Sequence, residues 1–217
     1  MPITSSETGV VVFAKAPLPG AVKTRLAPLL GAEAAAALHA RLVEHTLATA
    51  CTSGIGPVEL CCAPHTDDPF FNHCSSRYPI SLACQAEGDL GARMQSAFTR
   101  TLPHAGSVIL IGSDCPALTV SHLQQAAQAL AGGNDAVLVP AEDGGYALIG
   151  LTRCDDLLFY DIEWGGAAVL SSTRERLQRL RWRWIELETL WDIDRPEDYQ
   201  RLLNAGLLDP GSCVNTG

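Results

Sequence analysis

Short apolar runs alternate with longer amphipathic segments along the whole chain. Runs of strand length, rich in Val, Ile and Leu, cover residues 9–14, 58–63, 80–84, 107–112, 135–140, 146–151 and 184–187. Apolar residues at helical spacing predict helices over 32–50, 90–102, 119–131 and 169–180, and one from Pro196 onward. This order predicts an α/β fold with three layers, α/β/α, around a mostly parallel sheet.

One pair of strands departs from the parallel pattern. Only the turn around Asp143-Gly-Gly separates residues 135–140 from residues 146–151, which predicts a hairpin and therefore a mixed sheet. The length of 217 residues fits one domain, residues 1–217, and the tail after about residue 208 is expected to fray. In such sheets ligands bind at the carboxyl ends of the strands. The first loop, the loop after residue 112, the Asp143 turn and the loop before the last helix are therefore the places where a site is expected.

Charge and hydropathy exclude several classes of partner. The formal net charge of −9 argues against a nucleic acid or an anionic membrane surface as partner. No run approaches the ~20 apolar residues of a membrane span, and residues 1–9 lack the features of a signal peptide. We therefore expect a cytoplasmic protein. An exposed apolar edge strand would favour a homodimer.

Eight cysteines are present, and no pair has Cys-x-x-Cys spacing. In an intracellular chain of this size they are expected to be reduced and mostly buried. The alternative is a zinc site, although the spacing matches no standard structural zinc motif. Its ligands would come from Cys61, Cys62, His65, His73 and Cys74.

The loop after the first strand concentrates positive charge. Lys15 and Lys23 are the two lysines of the chain, and Arg25 follows them in the same loop. Gly20 allows a close approach of the backbone to a ligand. Such a loop predicts a phosphate site, and a solubilising surface loop is the alternative.

Carboxylates mark three further positions. Asp114 directly follows the run at 107–112, where a hard oxygen ligand suits Mg²⁺ or Mn²⁺. Asp192 and Asp194 would share one face of an extended segment, although Asp194 with Glu197 could instead cap the last helix. Asp143 lies on the hairpin turn beside Tyr146.

Five ordered motifs between about residues 10 and 203 carry a family resemblance. They are Lys15-Ala-Pro-x-Pro-Gly-x-Val-Lys-Thr-Arg-Leu26, Gly88-Asp-Leu-Gly-Ala-Arg-Met94, Gly112-Ser-Asp-Cys-Pro-Ala-Leu118, Asp143-Gly-Gly-Tyr-x-Leu-Ile-Gly150 and Asp192-Ile-Asp-x-Pro-Glu-Asp198. The chain resembles the bacterial radical-SAM/selenodomain-associated transferases of the nucleotide-diphospho-sugar transferase superfamily, which have the GT-A fold. It is more distantly similar to phospholactate and molybdenum-cofactor guanylyltransferases.

The resemblance implies a role for each motif. Phosphates would be held by Lys15, Lys23 and Arg25, and the rest of the nucleotide-binding set would be Gly20, Thr24, Asp89, Arg93 and Ser113. Mg²⁺ or Mn²⁺ would be bound by Asp114 together with Asp192 or Asp194. The acceptor side would be formed by Asp143, Gly144, Gly145 and Tyr146, and Asp143 and Lys23 would be the catalytic residues.

Three functions fit these residues. The first is glycosyl transfer from a nucleotide-diphosphate sugar to a small acceptor, with a carboxylate such as Asp143 accepting the proton. The second is nucleotidyl transfer, in which a phosphorylated substrate attacks a nucleoside triphosphate and pyrophosphate leaves. The third is a nucleotide-binding accessory protein without turnover.

Overall fold

The computed structural model of the protein describes residues 7–207, so the expected fraying after residue 208 lies outside the described residues. The strands are β1 (Thr8–Lys15), β2 (Val58–Ala63), β3 (Ile80–Cys84), β4 (Ser107–Ile111), β5 (Ala136–Pro140), β6 (Tyr146–Leu151) and β7 (Trp184–Glu186). The α-helices are α1 (Ala27–Leu30), α2 (Ala32–Ser53), α3 (Pro69–Arg77), α4 (Leu90–Thr101), α5 (Val120–Ala131), α6 (Val169–Arg179) and α7 (Pro196–Ala205).

Within residues 7–207 the strands form one seven-stranded sheet in the order β3-β2-β1-β4-β6-β5-β7. Strands β3, β2, β1 and β4 run parallel, whereas β6 is antiparallel to both β4 and β5. Strand β7 then pairs in parallel with β5. The predicted α/β class, the mixed sheet and the hairpin are confirmed.

The alternation of side chains along β1 explains the three layers. Val10, Val12 and Ala14 pack into an apolar cluster on one face of the sheet, together with residues of α2, α3 and α5. Val11 and Phe13 point to the opposite face, where residues of α4 and α6 pack. Because both faces are covered, the central strands β1 and β4 are buried except for Lys15 at the end of β1, as expected for parallel strands.

A third, smaller apolar cluster fixes the segment that carries the late carboxylates. Leu26 from the start of α1, Leu38 and Leu42 from α2, and Leu202 from α7 surround the buried side chain of Ile193. Ile193 lies between Asp192 and Asp194, so this packing determines where both carboxylates stand.

Two details of the sequence interpretation are corrected. Helix α1 is not among the predicted helices, and Pro28 in its first turn is compatible with a helix start. Asp194 does not cap α7, because the Asp198 carboxylate accepts the backbone N–H groups of Asp194 and Arg195.

The zinc alternative is wrong. Cys61 packs on one face of the sheet, whereas Cys62 and Cys74 pack on the other. His73 instead lies 3.6 Å from the Glu44 carboxylate. Among residues 7–207 no three His, Cys, Asp or Glu side chains stand where they could hold a metal ion.

None of the helices in residues 7–207 has both the length and the hydropathy needed to cross a membrane.

Candidate functional site

Three distant segments meet at the carboxyl ends of β1 and β4. The Lys23 ammonium, from the loop after β1, lies 2.6 Å from Oδ1 of Asp114 and donates to the Ile193 carbonyl at 2.6 Å. The Ile193 N–H donates to the Asp114 carbonyl at 2.9 Å. The Lys23 side chain is only 5% exposed, and its ammonium group fixes the relative positions of these segments.

The charge of Asp114 is set by these neighbours. Desolvation opposes ionisation of its carboxyl group, but the charge of Lys23 outweighs that cost. Lys23 therefore holds the pKa of Asp114 well below its usual range. Asp114 is therefore an anion across the physiological pH range.

His39 on α2 completes this centre, and the sequence interpretation did not include it. Its Nε2–H donates to the Lys15 carbonyl at 3.0 Å, which assigns the ring proton because a carbonyl can only accept. Nδ1 faces Asp114 Oδ1 at 3.8 Å, too far for a hydrogen bond, and has no hydrogen-bond partner among the described residues. The sequence does contain one indication of a buried histidine at this position: His39 lies between Leu38 and Leu42, two apolar positions of an alanine-rich helix.

A cavity of about 570 Å³ opens beside this centre and is termed the basic cavity. Its positively charged side chains come from the first loop and from α4: Lys15, Lys23, Arg25 and Arg93. Thr24 and Ser113 also line it. Lys15 is exposed, so its ammonium is accessible to a ligand. Positive charge at the carboxyl ends of parallel strands suits a bound anion such as a diphosphate.

A second cavity, of about 250 Å³, adjoins the first and is termed the acidic cavity. Asp114 and Gly112 line both cavities. Asp143, Gly145 and Tyr146 from the hairpin region also line the acidic cavity, as does Asp192. Three of the four predicted acceptor residues therefore adjoin the predicted phosphate residues, whereas Gly144 does not line the cavity.

The negative charge of Asp192 is disfavoured by its surroundings. Burial opposes its charge most, and the neighbouring Asp143 and Asp114 carboxylates add repulsion, which raises the pKa of Asp192 to about 6. A cation bound near Asp192 would relieve both effects.

Two glycines allow close packing of the backbone beside the acidic cavity. Gly144 has a φ of +91°, and a Cβ there would stand 2.3 Å from the Ala167 carbonyl oxygen. A Cβ on Gly91 of α4 would stand 2.5 Å from Nε1 of Trp164, whose indole forms part of the wall. Gly91 belongs to the motif of residues 88–94, but no local pattern explains it, because the clash is with a residue 73 positions later.

Some predicted site residues lie elsewhere. Asp192 and Asp194 do not share one cavity: Asp194 lines the basic cavity and pairs with Arg25. The Asp89 carboxylate accepts the Ala92 N–H at 2.8 Å and so caps α4. Gly20 has a φ of +78°, a conformation that favours glycine, so the geometry of the turn is enough to account for a glycine at this position.

One family of bacterial proteins matches this chain. The family described as "Uncharacterized protein conserved in bacteria (DUF2064)" matches residues 46–166, more than half of the sequence. The chain belongs to the DUF2064 family. A comparison with the curated proteins gives no match.

Solved structures place this DUF2064 protein in a known fold. A "putative nucleotide-diphospho-sugar transferase" from Desulfovibrio desulfuricans G20 is 30% identical, with a TM-score of 0.83 over 96% of this chain and 90% of that one. A nucleotidyl transferase from Methanothermobacter thermautotroptrophicus is 14% identical, with a TM-score of 0.62 over 93% and 98% of the two chains. The manganese complex of Rv0371C from Mycobacterium tuberculosis H37Rv is 16% identical, with a TM-score of 0.51 over 92% and 99%. The last two likenesses show the fold alone.

Proposed function

We propose that the protein transfers a glycosyl group from a nucleotide-diphosphate sugar to a small acceptor. The observation that carries the proposal is the junction of the basic and acidic cavities at Asp114. A donor diphosphate in the basic cavity would direct its sugar toward the acidic cavity, where an acceptor would bind. The name of the Desulfovibrio relative supports the same donor class.

The basic cavity would bind the donor. Lys15 and Arg93 supply charge at its rim, whereas Lys23 also holds the site together. The Lys23 ammonium has three donors and uses two on Asp114 and Ile193, which leaves one for a phosphate oxygen. These cations would stabilise the charge that grows on the departing diphosphate.

A divalent cation fits this junction. His39 Nδ1 is a buried nitrogen that faces Asp114 and has no hydrogen-bond partner among the described residues. Burial and the neighbouring carboxylates both disfavour the negative charge of Asp192. Mg²⁺ is usually held by one or two carboxylates plus substrate phosphates, so a complete protein cage is not required. Asp114 and Asp192 would hold Mg²⁺ or Mn²⁺, and a manganese complex of one fold relative supports this choice. The ion would supply Lewis-acid stabilisation of the leaving diphosphate.

The chain's own residues would then handle the acceptor. An acceptor hydroxyl oxygen forms the new bond to the anomeric carbon while the bond from that carbon to the diphosphate breaks. The electron pair of the broken bond leaves with the nucleoside diphosphate, and the hydroxyl proton passes to the Asp143 carboxylate. Asp143 is held for this role by the Gly145 N–H, which donates to its Oδ1 at 2.8 Å.

Nucleotidyl transfer is the second candidate, favoured by the likeness to the Methanothermobacter nucleotidyl transferase. It would use the same cations and metal, but the attacking group would be a phosphate and the product pyrophosphate. The released product therefore distinguishes the two reactions.

The test is a panel of nucleoside diphosphates, triphosphates and nucleotide sugars, with and without Mn²⁺, read by thermal shift and then by product analysis. A ligand at ~100 times its Kd should add about 2.7 kcal/mol of stability. We expect a metal-dependent shift that is weakened in Lys15→Ala and unchanged in Arg179→Ala, an exposed arginine at the far end of α6. Release of nucleoside diphosphate supports the proposal, and pyrophosphate supports the second candidate. Nucleotide binding without turnover would support the third function, a nucleotide-binding accessory protein. The absence of a thermal shift with every nucleotide would refute the proposed donor site.

A further inference from the structure

The charged side chains of the two cavities differ, and this difference bears on the acceptor: the basic cavity has both lysine and arginine side chains and the carboxylates of Asp114 and Asp194, whereas the acidic cavity has carboxylates alone. The acidic cavity is lined by three carboxylates, Asp114, Asp143 and Asp192. Its lining residues all belong to the described part of the chain, and none of them is Lys, Arg or His. The basic cavity is lined instead by Lys15, Lys23, Arg25 and Arg93.

The remaining wall of the acidic cavity is apolar and aromatic. Tyr146 and Trp164 supply ring surfaces, and Leu90 and Val169 supply aliphatic ones. Gly165 and Gly166 add backbone without side chains. At about 250 Å³ the cavity is smaller than a typical drug-sized pocket and suits a molecule of about one ring.

A phosphorylated acceptor finds no cationic side chain among the residues that line this cavity. Phosphate groups are bound by arginine, lysine or clustered N–H donors, and carboxylates at the same place repel them. An ion shared by Asp114 and Asp192 would neutralise those two carboxylates and leave Asp143 as the charge facing the acceptor.

On the basis of the proposed function, we propose that the acceptor is a one-ring alcohol that is uncharged or carries an amine, and not a phosphate ester. The inference deepens the assignment of glycosyl transfer and argues against the form of nucleotidyl transfer described above, in which the attacking group is a phosphate. Asp143 is then the residue that sets the preference for charge.

The neighbouring residue provides a matched control. Glu142 is the other acid of the same turn, but its carboxylate pairs with Arg201 at 2.8 and 3.2 Å and does not line the acidic cavity. Glu142→Gln and Asp143→Asn therefore remove the same charge, one outside and one inside the cavity. Asparagine keeps an oxygen that can accept the Gly145 N–H, so the turn should be preserved.

The experiment compares 2-phenylethanol, 2-phenylethylamine and 2-phenylethyl phosphate, which share one ring and differ in charge. Binding to the full-length protein is measured by ligand-observed NMR up to about 10 mM, with and without Mn²⁺. We expect the alcohol and the amine to bind at least about tenfold more tightly than the phosphate. Asp143→Asn should reduce the preference for amine over alcohol several-fold, and Glu142→Gln should leave it unchanged.

Two outcomes overturn the inference: phosphate binding as tight as that of the alcohol, or no binding of any of the three probes. Neither depends on the donor panel. If nucleotides bind and the phosphate probe is preferred, the acceptor class is wrong while the donor site stands. If no nucleotide binds, the proposed function fails whatever the order of the probes.

Discussion

Lys23 and Asp114 lie 91 positions apart in the sequence, yet the ammonium nitrogen of one is 2.6 Å from a carboxylate oxygen of the other. Lys23 also has a φ of +47°, a left-handed conformation that is uncommon for a residue other than glycine. Its two side-chain contacts hold the residue in this conformation. The pair joins the phosphate loop to the carboxylate at the end of β4, so a change in one is expected to disturb the other.

Replacing Lys23 by Met should lower both stability and nucleotide affinity. The variant leaves the Asp114 charge and the Ile193 carbonyl without their partner, which we expect to cost about 1–3 kcal/mol of unfolding free energy because Asp114 is partly open to solvent. Lys15→Met should weaken nucleotide binding with little change in stability, since Lys15 is exposed. Urea denaturation and nucleotide titration measure the two effects. Equal stability of both variants would contradict the structural role of Lys23.

Asp192→Asn should change how stability depends on pH in metal-free protein. The pKa of Asp192 is raised to about 6, by burial first and then by the Asp143 charge, so the unfolded chain ionises this group at a lower pH than the folded one. The contribution of this carboxyl group to the unfolding free energy of the wild type is therefore lost as pH rises from about 4 to about 6. The variant avoids this loss and should be more stable by about 1–3 kcal/mol above pH ~6, with no difference below pH ~4.

Urea titrations across this pH range in the presence of EDTA measure the difference. Glu175→Gln, which changes an exposed acid on α6, serves as the control and should follow the wild-type curve. Parallel wild-type and Asp192→Asn curves would show that Asp192 ionises normally in the folded protein.

Gly91→Ala should disrupt the wall of the acidic cavity. The added methyl group would stand 2.5 Å from Trp164 Nε1 and 2.7 Å from the Phe159 carbonyl oxygen, so the indole must move. We expect a cost of about 1–3 kcal/mol and weaker acceptor binding, with nucleotide binding retained. Trp164→Phe in the same chain removes the indole nitrogen and should restore part of the stability. Tryptophan fluorescence and denaturation test this, and an unchanged Gly91→Ala protein would refute the contact.

Thiol reactivity should single out one cysteine. Cys84 is exposed, whereas Cys61, Cys62, Cys74 and Cys115 are buried. Burial is the main cause that raises the pKa of each buried thiol, to about 12 for Cys61 and Cys115. In a Cys213→Ser background, which removes the thiol outside the described residues, one thiol should react rapidly with a chromogenic disulfide. Cys84→Ser should abolish that phase, and its persistence would mean that the core is more open than described.

Local patterns in the sequence were sufficient for the fold class and for most of its elements. The apolar run of β1, the apolar spacing in α4 and the Asp143-Gly-Gly turn each determine structure through neighbours a few residues away. The same reasoning placed Lys15, Lys23 and Asp114 at the carboxyl ends of their strands, because parallel strands align those ends.

The sequence by itself therefore determined the elements, the α/β class and the edge of the sheet where charged residues gather. The tertiary structure alone decided which charges meet: Lys23 with Asp114, His39 behind them, and Asp192 and Asp194 on separate cavities. Simple alternation put the two late carboxylates together, but the burial of Ile193 and its two backbone hydrogen bonds fix the segment differently. Such contacts join residues far apart in the chain, and periodicity carries information only about near neighbours.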